Sequence, residues 1–255
     1  MDHSPGRSLL RIAACGALLA AVASLASGCP APGYDRNWKS KAERVLVLPL
    51  NLVAEMPEEL AGDARRVDDI LLDYLAERGK SVRTIGFRDA AAAWRASESD
   101  CRAAGAKKCD RFAGVAPFAA RRLRAEQDYD VLIVPYLLLR GARSNGYVAS
   151  FDGVERPVQV PRYEPYGPYG FGPYGRGATR IRAVSLKVFG FSSDGKKLFD
   201  GIGGLDVVDR IEPSEEPGAY TVEVRENVLR DPDAIREGVA RALHPLVPRP
   251  KPSRS

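Results

Sequence analysis

After its first 42 residues the chain alternates between short apolar runs and amphipathic segments. Residues 45–50 (Val-Leu-Val-Leu-Pro-Leu) are apolar on both faces, a pattern typical of a buried strand. Within residues 67–75 apolar side chains recur at helical spacing, and Gly79 ends the predicted helix. A second strand is predicted at residues 81–87, and two further helices are predicted at residues 88–95 and 117–126.

The second half of the chain favours strands. Residues 129–139 (Tyr-Asp-Val-Leu-Ile-Val-Pro-Tyr-Leu-Leu-Leu) give the strongest strand signal. Residues 154–160 are predicted to be extended. Residues 181–191 and 198–208 alternate in a way that predicts two strands, and the dipeptide Asp194-Gly195 predicts a hairpin turn between them.

A last helix is predicted near the carboxyl end. Asp231 is a good N-cap residue, and Pro232 suits the first helical position. The buried stripe of this helix is predicted to contain Ile235, Val239, Leu243 and Leu246. The order strand, helix, strand, helix, strand, followed by a hairpin and a helix, predicts an α/β (α+β) fold. We expect a single mixed β-sheet with flanking helices over residues 43–247.

One internal segment breaks this pattern. Residues 161–177 are rich in Pro and Gly, a composition that cannot bury a core and that predicts a loop between two strands. Tyrosine rings stack on sugars and peptides, so the segment is a possible binding loop; a loop with no binding role is the alternative. Its aromatic residues are Tyr163, Tyr166, Tyr169, Phe171 and Tyr174.

The first 28 residues have the organisation of a secretory signal peptide. Arg7 and Arg11 precede an apolar run at residues 12–25, and small residues follow. A helix of about 14 residues covers ~21 Å, whereas the hydrocarbon core of a bilayer is ~30 Å thick. The run is therefore too short for a permanent membrane span, and we expect residues 1–28 to be removed.

The end of this signal, Leu25-Ala26-Ser27-Gly28-Cys29, resembles the lipobox of bacterial lipoproteins. The resemblance implies cleavage between Gly28 and Cys29, a diacylglycerol thioether on Cys29, and an N-acyl chain on its new amino terminus. Ala26 stands where Leu is usual. The alternative is ordinary signal cleavage nearby that leaves Cys29 as a thiol. No cofactor is expected besides this covalent lipid.

The residues around the predicted anchor imply a location. Lipoproteins with Asp after the lipidated cysteine are retained in the inner membrane, and Pro30 follows here. The resemblance therefore implies the periplasmic face of the outer membrane. Residues 29–42 comprise the lipidated cysteine and a tether with little apolar pattern, and residues 248–255 are predicted to be a disordered basic tail.

The four cysteines divide between these segments. Cys15 is expected to leave with the signal peptide and Cys29 to carry lipid, so Cys101 and Cys109 remain in an oxidising compartment, where a disulfide is expected. Positions eight apart on a helix lie ~12 Å apart, beyond disulfide reach, so the segment must bend near Gly105. Metal binding is the alternative, but two thiols without a neighbouring histidine form an incomplete site.

Charge and histidine content argue against several functions. The net charge is +5, falls to +4 without residues 1–28, and is interspersed along the chain, which disfavours nucleic-acid binding. His3 and His244 are the only histidines, so a hydrolase triad or a histidine metal site is not expected. Residues 193–196 fit Ser-x-x-Lys, but the predicted hairpin turn is the wrong context for that nucleophile motif. We expect a protein that is not an enzyme.

The overall pattern resembles a group of periplasmic lipoprotein domains. The group includes the curli secretion lipoprotein CsgG, the TolB amino-terminal domain and the lipoprotein activators of penicillin-binding proteins. The similarity lies in the early Val-Leu-Val-Leu-Pro strand, the middle Asp-Val-Leu-Ile-Val strand at residues 130–134 and the hairpin at residues 192–199. It implies an envelope adaptor or assembly factor that is anchored to the membrane and binds another envelope protein. The alternative is a subunit of a CsgG-like secretion channel.

Overall fold

A sequence that buries alternate residues on opposite sides of its strands produces a sheet with two covered faces. The computed structural model describes residues 42–145, 147–159, 179–213, 220–244 and 246–248. Nine strands occur in these residues: β1 (Arg44–Val47), β2 (Ser81–Thr84), β3 (Val131–Ser144), β4 (Val148–Phe151), β5 (Val154–Pro157), β6 (Thr179–Ser192), β7 (Lys197–Val207), β8 (Asp209–Pro213) and β9 (Tyr220–Val224).

Five strands lie side by side in the order β2-β1-β3-β6-β7. The first three are parallel, and β6 runs antiparallel to both β3 and β7. Beyond this array the far end of β3 pairs with β4, which forms a hairpin with β5. β8 and β9 form a separate antiparallel pair. The main sheet is therefore mixed, because its parallel half comes from helical crossovers and its antiparallel half from hairpins.

Four α-helices flank the sheet in the described part of the chain: α1 (Ala64–Glu77), α2 (Phe87–Ala103), α3 (Phe112–Glu126) and α4 (Pro232–Ala242). Side chains that alternate along β1 and β3 divide between two hydrophobic cores. Val45 and Val47 pack in the core beneath α1 and α4, whereas Leu46 and Leu48 pack in the core beneath α2 and α3. Both faces of β1 are thus buried.

The predicted fold class, a mixed sheet with flanking helices, is confirmed. The predicted cap of the last helix is also present, since the Asp231 carboxylate accepts hydrogen bonds from the backbone N–H groups of Asp233 and Ala234. All four residues of its predicted stripe are buried. The turn at Asp194-Gly195 is present, with Gly195 at a φ of 88°.

Some predicted boundaries are wrong. Phe87 begins α2 instead of ending β2, and α2 continues to Ala103 instead of stopping at Arg95. Its second half is Ala-Ser-Glu-Ser-Asp-Cys-Arg-Ala, which has few apolar residues and so gives a weak periodic signal. α3 begins five residues before Pro117, so the proline lies inside the helix and does not begin it, although it lacks the N–H that would donate to the carbonyl of Ala113. β4, β8 and β9 were not predicted.

Two ion pairs with buried carboxylates connect β6 and β7 of the main sheet to β8 and to the residue that follows β9. Asp209 on β8 has a side chain that is only 3% exposed, and it accepts hydrogen bonds from both the backbone and the guanidinium of Arg182 on β6. Asp206 on β7 accepts hydrogen bonds from Arg225 and from the backbone N–H of Leu229. Each buried carboxylate is thereby neutralised, as burial of a charge requires.

Acidification should weaken the fold. Burial alone would raise the pKa of Asp130, but hydrogen bonds from the Arg44 side chain and backbone outweigh it, so the pKa is lowered. The pKa values of Asp194, Asp200 and Glu237 are lowered as well, whereas burial raises the pKa of Asp68. A lowered folded-state pKa gives stability that is present above the unfolded pKa and is lost as pH falls through the folded pKa.

We therefore predict that the free energy of unfolding falls as pH drops from about 5 to about 2. Denaturant titrations across this range would measure it. The variant Asp130→Asn should show a shallower dependence on pH, since it lacks one of the titrating groups. A free energy of unfolding that stays constant down to about pH 2 would contradict this prediction.

Candidate functional site

Two of the sites predicted from the sequence lie outside the described residues. These are the cleavage and lipidation site at Gly28 and Cys29, and the aromatic segment at residues 161–177. The tether and the basic tail also lie outside, apart from Ala42 and Pro248. The predicted cysteine pair is the site that falls within the described part of the chain.

Cys101 and Cys109 face each other across the turn between α2 and α3. Their Cα atoms are 5.7 Å apart, within the range that a disulfide requires, and the two sulfur atoms are bonded. The chain bends after α2 ends, with Gly105 at a φ of 64° in the left-handed region that favours glycine. Cys101 is fully buried and Cys109 nearly so. The bend that the cysteine spacing requires is therefore present.

We predict that these two cysteines are oxidised in protein isolated from the periplasm. Closing the nine-residue loop should stabilise the fold by ~2.5 kcal/mol through chain entropy. Alkylation of the unfolded protein, with and without prior reduction, followed by intact-mass measurement, would count the free thiols. Two alkylated cysteines at positions 101 and 109 without reduction would show that the pair is not formed in the cell.

A different candidate surface lies on the face of the sheet that α2 and α3 cover in part. Near the start of β3 these helices bury Leu132 and Val134. Near its end the β4–β5 hairpin covers the same face, where Ala142 and Ala183 are buried. Between these two covers lies a band of half-buried side chains, here called the central strip. Its members are Tyr136 and Leu138 on β3, Lys187 and Phe189 on β6, and Ile202 on β7.

The register of the strands places these side chains in rows. Lys187 on β6 lies opposite Tyr136 on one side and Ile202 on the other, so the three share one face. On the side of the β4–β5 hairpin, Asp152 in the β4–β5 turn accepts a hydrogen bond from Ser185 and forms an ion pair with Arg140. The turn is thereby fixed beside the central strip, which has a polar rim on that side.

An unbroken run of rings leads from α2 onto the central strip. The ring centroids of Trp94 and Phe112 are 5.7 Å apart, those of Phe112 and Phe189 are 4.6 Å apart, and those of Phe189 and Tyr136 are 6.0 Å apart. All four rings are half-buried. Aromatic side chains with one covered face and one accessible edge provide contact area at low entropic cost.

Two lysines lie beside Phe189, the third ring of this run. The Nζ atoms of Lys187 and Lys197 lie 5.2 and 5.4 Å from the Phe189 centroid, within the range of cation–π contacts. Both ammonium groups also form ion pairs with Asp200. Hydrogen bonds from Lys197 and then Lys187 lower the pKa of this carboxyl. Asp200 therefore stays ionised and holds both cations beside the ring.

The arrangement suits binding better than bond-breaking chemistry. Burial, together with the charge of Asp200, raises the pKa of Tyr136, so its hydroxyl stays protonated and acts as a hydrogen-bond donor. The rings offer apolar contacts, and Lys187 and Lys197 offer donors with positive charge. The rings match the usual anchors of a protein–protein contact, in which aromatic residues supply much of the binding energy.

Sequence reasoning missed the central strip. The alternation of Tyr136 and Leu138 with Leu137 showed that β3 has two faces, but it could not show which face the helices leave open. Phe189 and Lys187 were assigned to a strand without a binding role. The available signal was the pair of bulky side chains at positions 136 and 189, in two strands predicted to belong to one sheet.

Among the described residues, no three or more His, Cys, Asp or Glu side chains are grouped closely enough to hold a metal ion. None of the helices in that part of the chain combines the length and the hydropathy needed to span a bilayer. Comparison of the chain with protein-family models and with curated proteins gives no match.

Proposed function

We propose that this protein is a non-catalytic lipoprotein, anchored through Cys29 to the periplasmic face of the outer membrane, that acts as an adaptor or assembly factor. The observation that carries the proposal is the sequence Leu25-Ala26-Ser27-Gly28-Cys29 directly after an apolar run of signal-peptide length. Three acyl chains on Cys29 anchor a protein in a bilayer essentially irreversibly.

The topology supports a domain that projects from such an anchor. The described part of the chain begins at Ala42, beside the start of β1. The backbone carbonyl of Ala42 accepts a hydrogen bond from the Lys80 ammonium group. Arg44 ties this end to Asp128 and Asp130, just before β3. From here β3 continues for 14 residues, or about 46 Å at ~3.3 Å per residue. The far end of β3 therefore lies well away from the point where the tether joins.

The chemistry of the described side chains supports binding as the role of the domain. The central strip presents the rings of Tyr136 and Phe189 together with Lys187, and the buried carboxylates of Asp206 and Asp209 are paired with arginines. The channel alternative would require β6 and β7 to form a lipid-facing ribbon. The side chains of Val184, Leu186 and Val188 on β6 instead pack in the core beneath α1 and α4.

A photo-crosslinking experiment tests the adaptor role. A crosslinking amino acid at Ile202, in the central strip, should trap an envelope protein in intact cells. The same amino acid at Ile70 should not, because that half-buried position lies on α1 at the opposite face of the sheet. The yield of the Ile202 adduct should fall at least several-fold in the Phe189→Ala variant, which lacks the ring that Lys187 and Lys197 contact. No adduct from Ile202, or the same adduct from both positions, would contradict the proposal.

A further inference from the structure

The described part of β9 pairs along one edge only. Ile211 lies opposite Val222, and Asp209 opposite Val224, in the antiparallel pair with β8. No other described strand pairs with β9. Its residues 221–224 are all exposed, and Val222 and Val224 are 45% and 43% exposed. These two valines are among the four most exposed large hydrophobic residues of the described chain.

An unpaired strand edge can bind another strand. A free edge offers a row of backbone N–H and C=O groups, and proteins usually protect it with Lys, Pro or a bulge. β9 has the sequence Tyr-Thr-Val-Glu-Val, which contains neither Lys nor Pro and is rich in residues that favour strands. Its one charged side chain, Glu223, is already paired with Arg210 of β8. The protective features are therefore missing from β9.

We propose that β9 pairs antiparallel with β9 of a second copy of this chain, about a two-fold axis at Val222. In this register Val222 meets Val222 of the partner, Thr221 meets Glu223, and residue 220 meets Val224. Apolar residues face apolar ones, and no like charges are opposed, as a stable cross-strand pairing requires. A closed pair of identical chains needs such an isologous two-fold arrangement.

The neighbouring two-fold register is less favourable. An axis at Glu223 would place the two Glu223 carboxylates directly opposite each other, and like charges in that position destabilise a strand pair. Val222 would meet an apolar residue, Val224, in that register as well, so the facing carboxylates distinguish it from the register centred on Val222. Charge therefore selects the register centred on Val222.

A strand of five residues buries too little surface for a strong dimer in dilute solution. Confinement to one membrane raises the effective concentration of tethered copies, which favours weak contacts between them. In this respect the inference rests on the proposed lipid anchor. The pairing of the edges itself depends only on the described residues of β8 and β9.

Cysteine crosslinking in native membranes tests the pairing with a matched control. The full-length variants Val222→Cys and Val224→Cys introduce thiols at positions of nearly equal exposure. In the proposed register the two copies of position 222 face each other at ~4.5–5.5 Å between Cα atoms, within disulfide reach. The two copies of position 224 are displaced by four residues, or about 13 Å along the strands, beyond that reach.

Under mild oxidation Val222→Cys should form a disulfide-linked homodimer with at least five-fold higher yield than Val224→Cys. Equal yields from the two variants, or no dimer from Val222→Cys, would overturn the pairing. A crosslink from Val222→Cys to a different protein would show that the strand beside β9 belongs to another protein. That result would also overturn the pairing of two copies. A dimer of the wild-type chain would instead show that Cys29 is a free thiol. That result would contradict the lipid anchor, and the two variants would then be compared in a Cys29→Ser background.

Discussion

Replacing Cys29 by Ser will abolish attachment of the protein to the membrane while the folded domain is retained. The predicted thioether cannot form on a serine hydroxyl, so no acyl chain is added, and ordinary signal cleavage nearby then separates the domain from the apolar run. No helix among the described residues is long and apolar enough to cross a bilayer. Because several acyl chains hold a protein in the bilayer essentially irreversibly, the attached fraction should fall from nearly all to nearly none.

Fractionation combined with labelling by a radioactive or clickable fatty acid would measure this change. Cys15→Ser is the matched control, since Cys15 lies inside the apolar run of the predicted signal peptide and should leave attachment and labelling unchanged. Circular dichroism of the released Cys29→Ser protein should show a folded α/β domain. Continued acyl labelling of Cys29→Ser would show that another residue carries the lipid.

Replacing Gly203 by Ala should lower the free energy of unfolding by ~3 kcal/mol or more, since overpacking of this kind strains a rigid core. Gly203 lies on β7 directly beneath α4. A Cβ atom at this position would stand 2.0 Å from the backbone carbonyl oxygen of Gly238 and 2.8 Å from the carbonyl carbon. Backbone atoms cannot turn aside as a flexible side chain can, so α4 would have to move away from the sheet.

Gly141→Ala provides the control for this prediction. Gly141 also lies within a long strand, β3, but a Cβ atom there would meet nothing within 4 Å. Its free energy of unfolding should change by less than ~0.5 kcal/mol, as is usual for a surface position. Denaturant titration of the two variants and the parent would compare them. Equal stabilities for Gly203→Ala and Gly141→Ala would show that α4 does not pack closely on β7.

The elements that sequence patterns predicted share a strong local signal. The run at residues 45–50 is apolar on both faces because β1 lies between β2 and β3 under two layers of helices. The last helix combines a cap, a proline and a buried stripe, so three independent signals agree. In the same way, the cysteine spacing demanded a bend, and Gly105 provides it at positive φ.

The features that escaped prediction depend on contacts between distant segments. β8 and β9 are short, and charged residues such as Asp209, Arg210 and Glu223 interrupt their apolar pattern. Asp209 is buried only because Arg182, 27 residues away, neutralises it. The central strip depends on how far α2, α3 and the β4–β5 hairpin extend over one face of the sheet. The local sequences of β3 and β6 do not indicate how much of this face the helices and the hairpin cover.

The measurement that tests the lipid anchor most directly is mass spectrometry of the amino-terminal peptide of the protein purified from its own outer membranes. A peptide that begins at Cys29 and carries a diacylglycerol thioether together with an N-acyl chain is the predicted result. A peptide that begins at another residue, or one in which Cys29 is a free thiol, would contradict the assignment of this protein as a lipid-anchored adaptor.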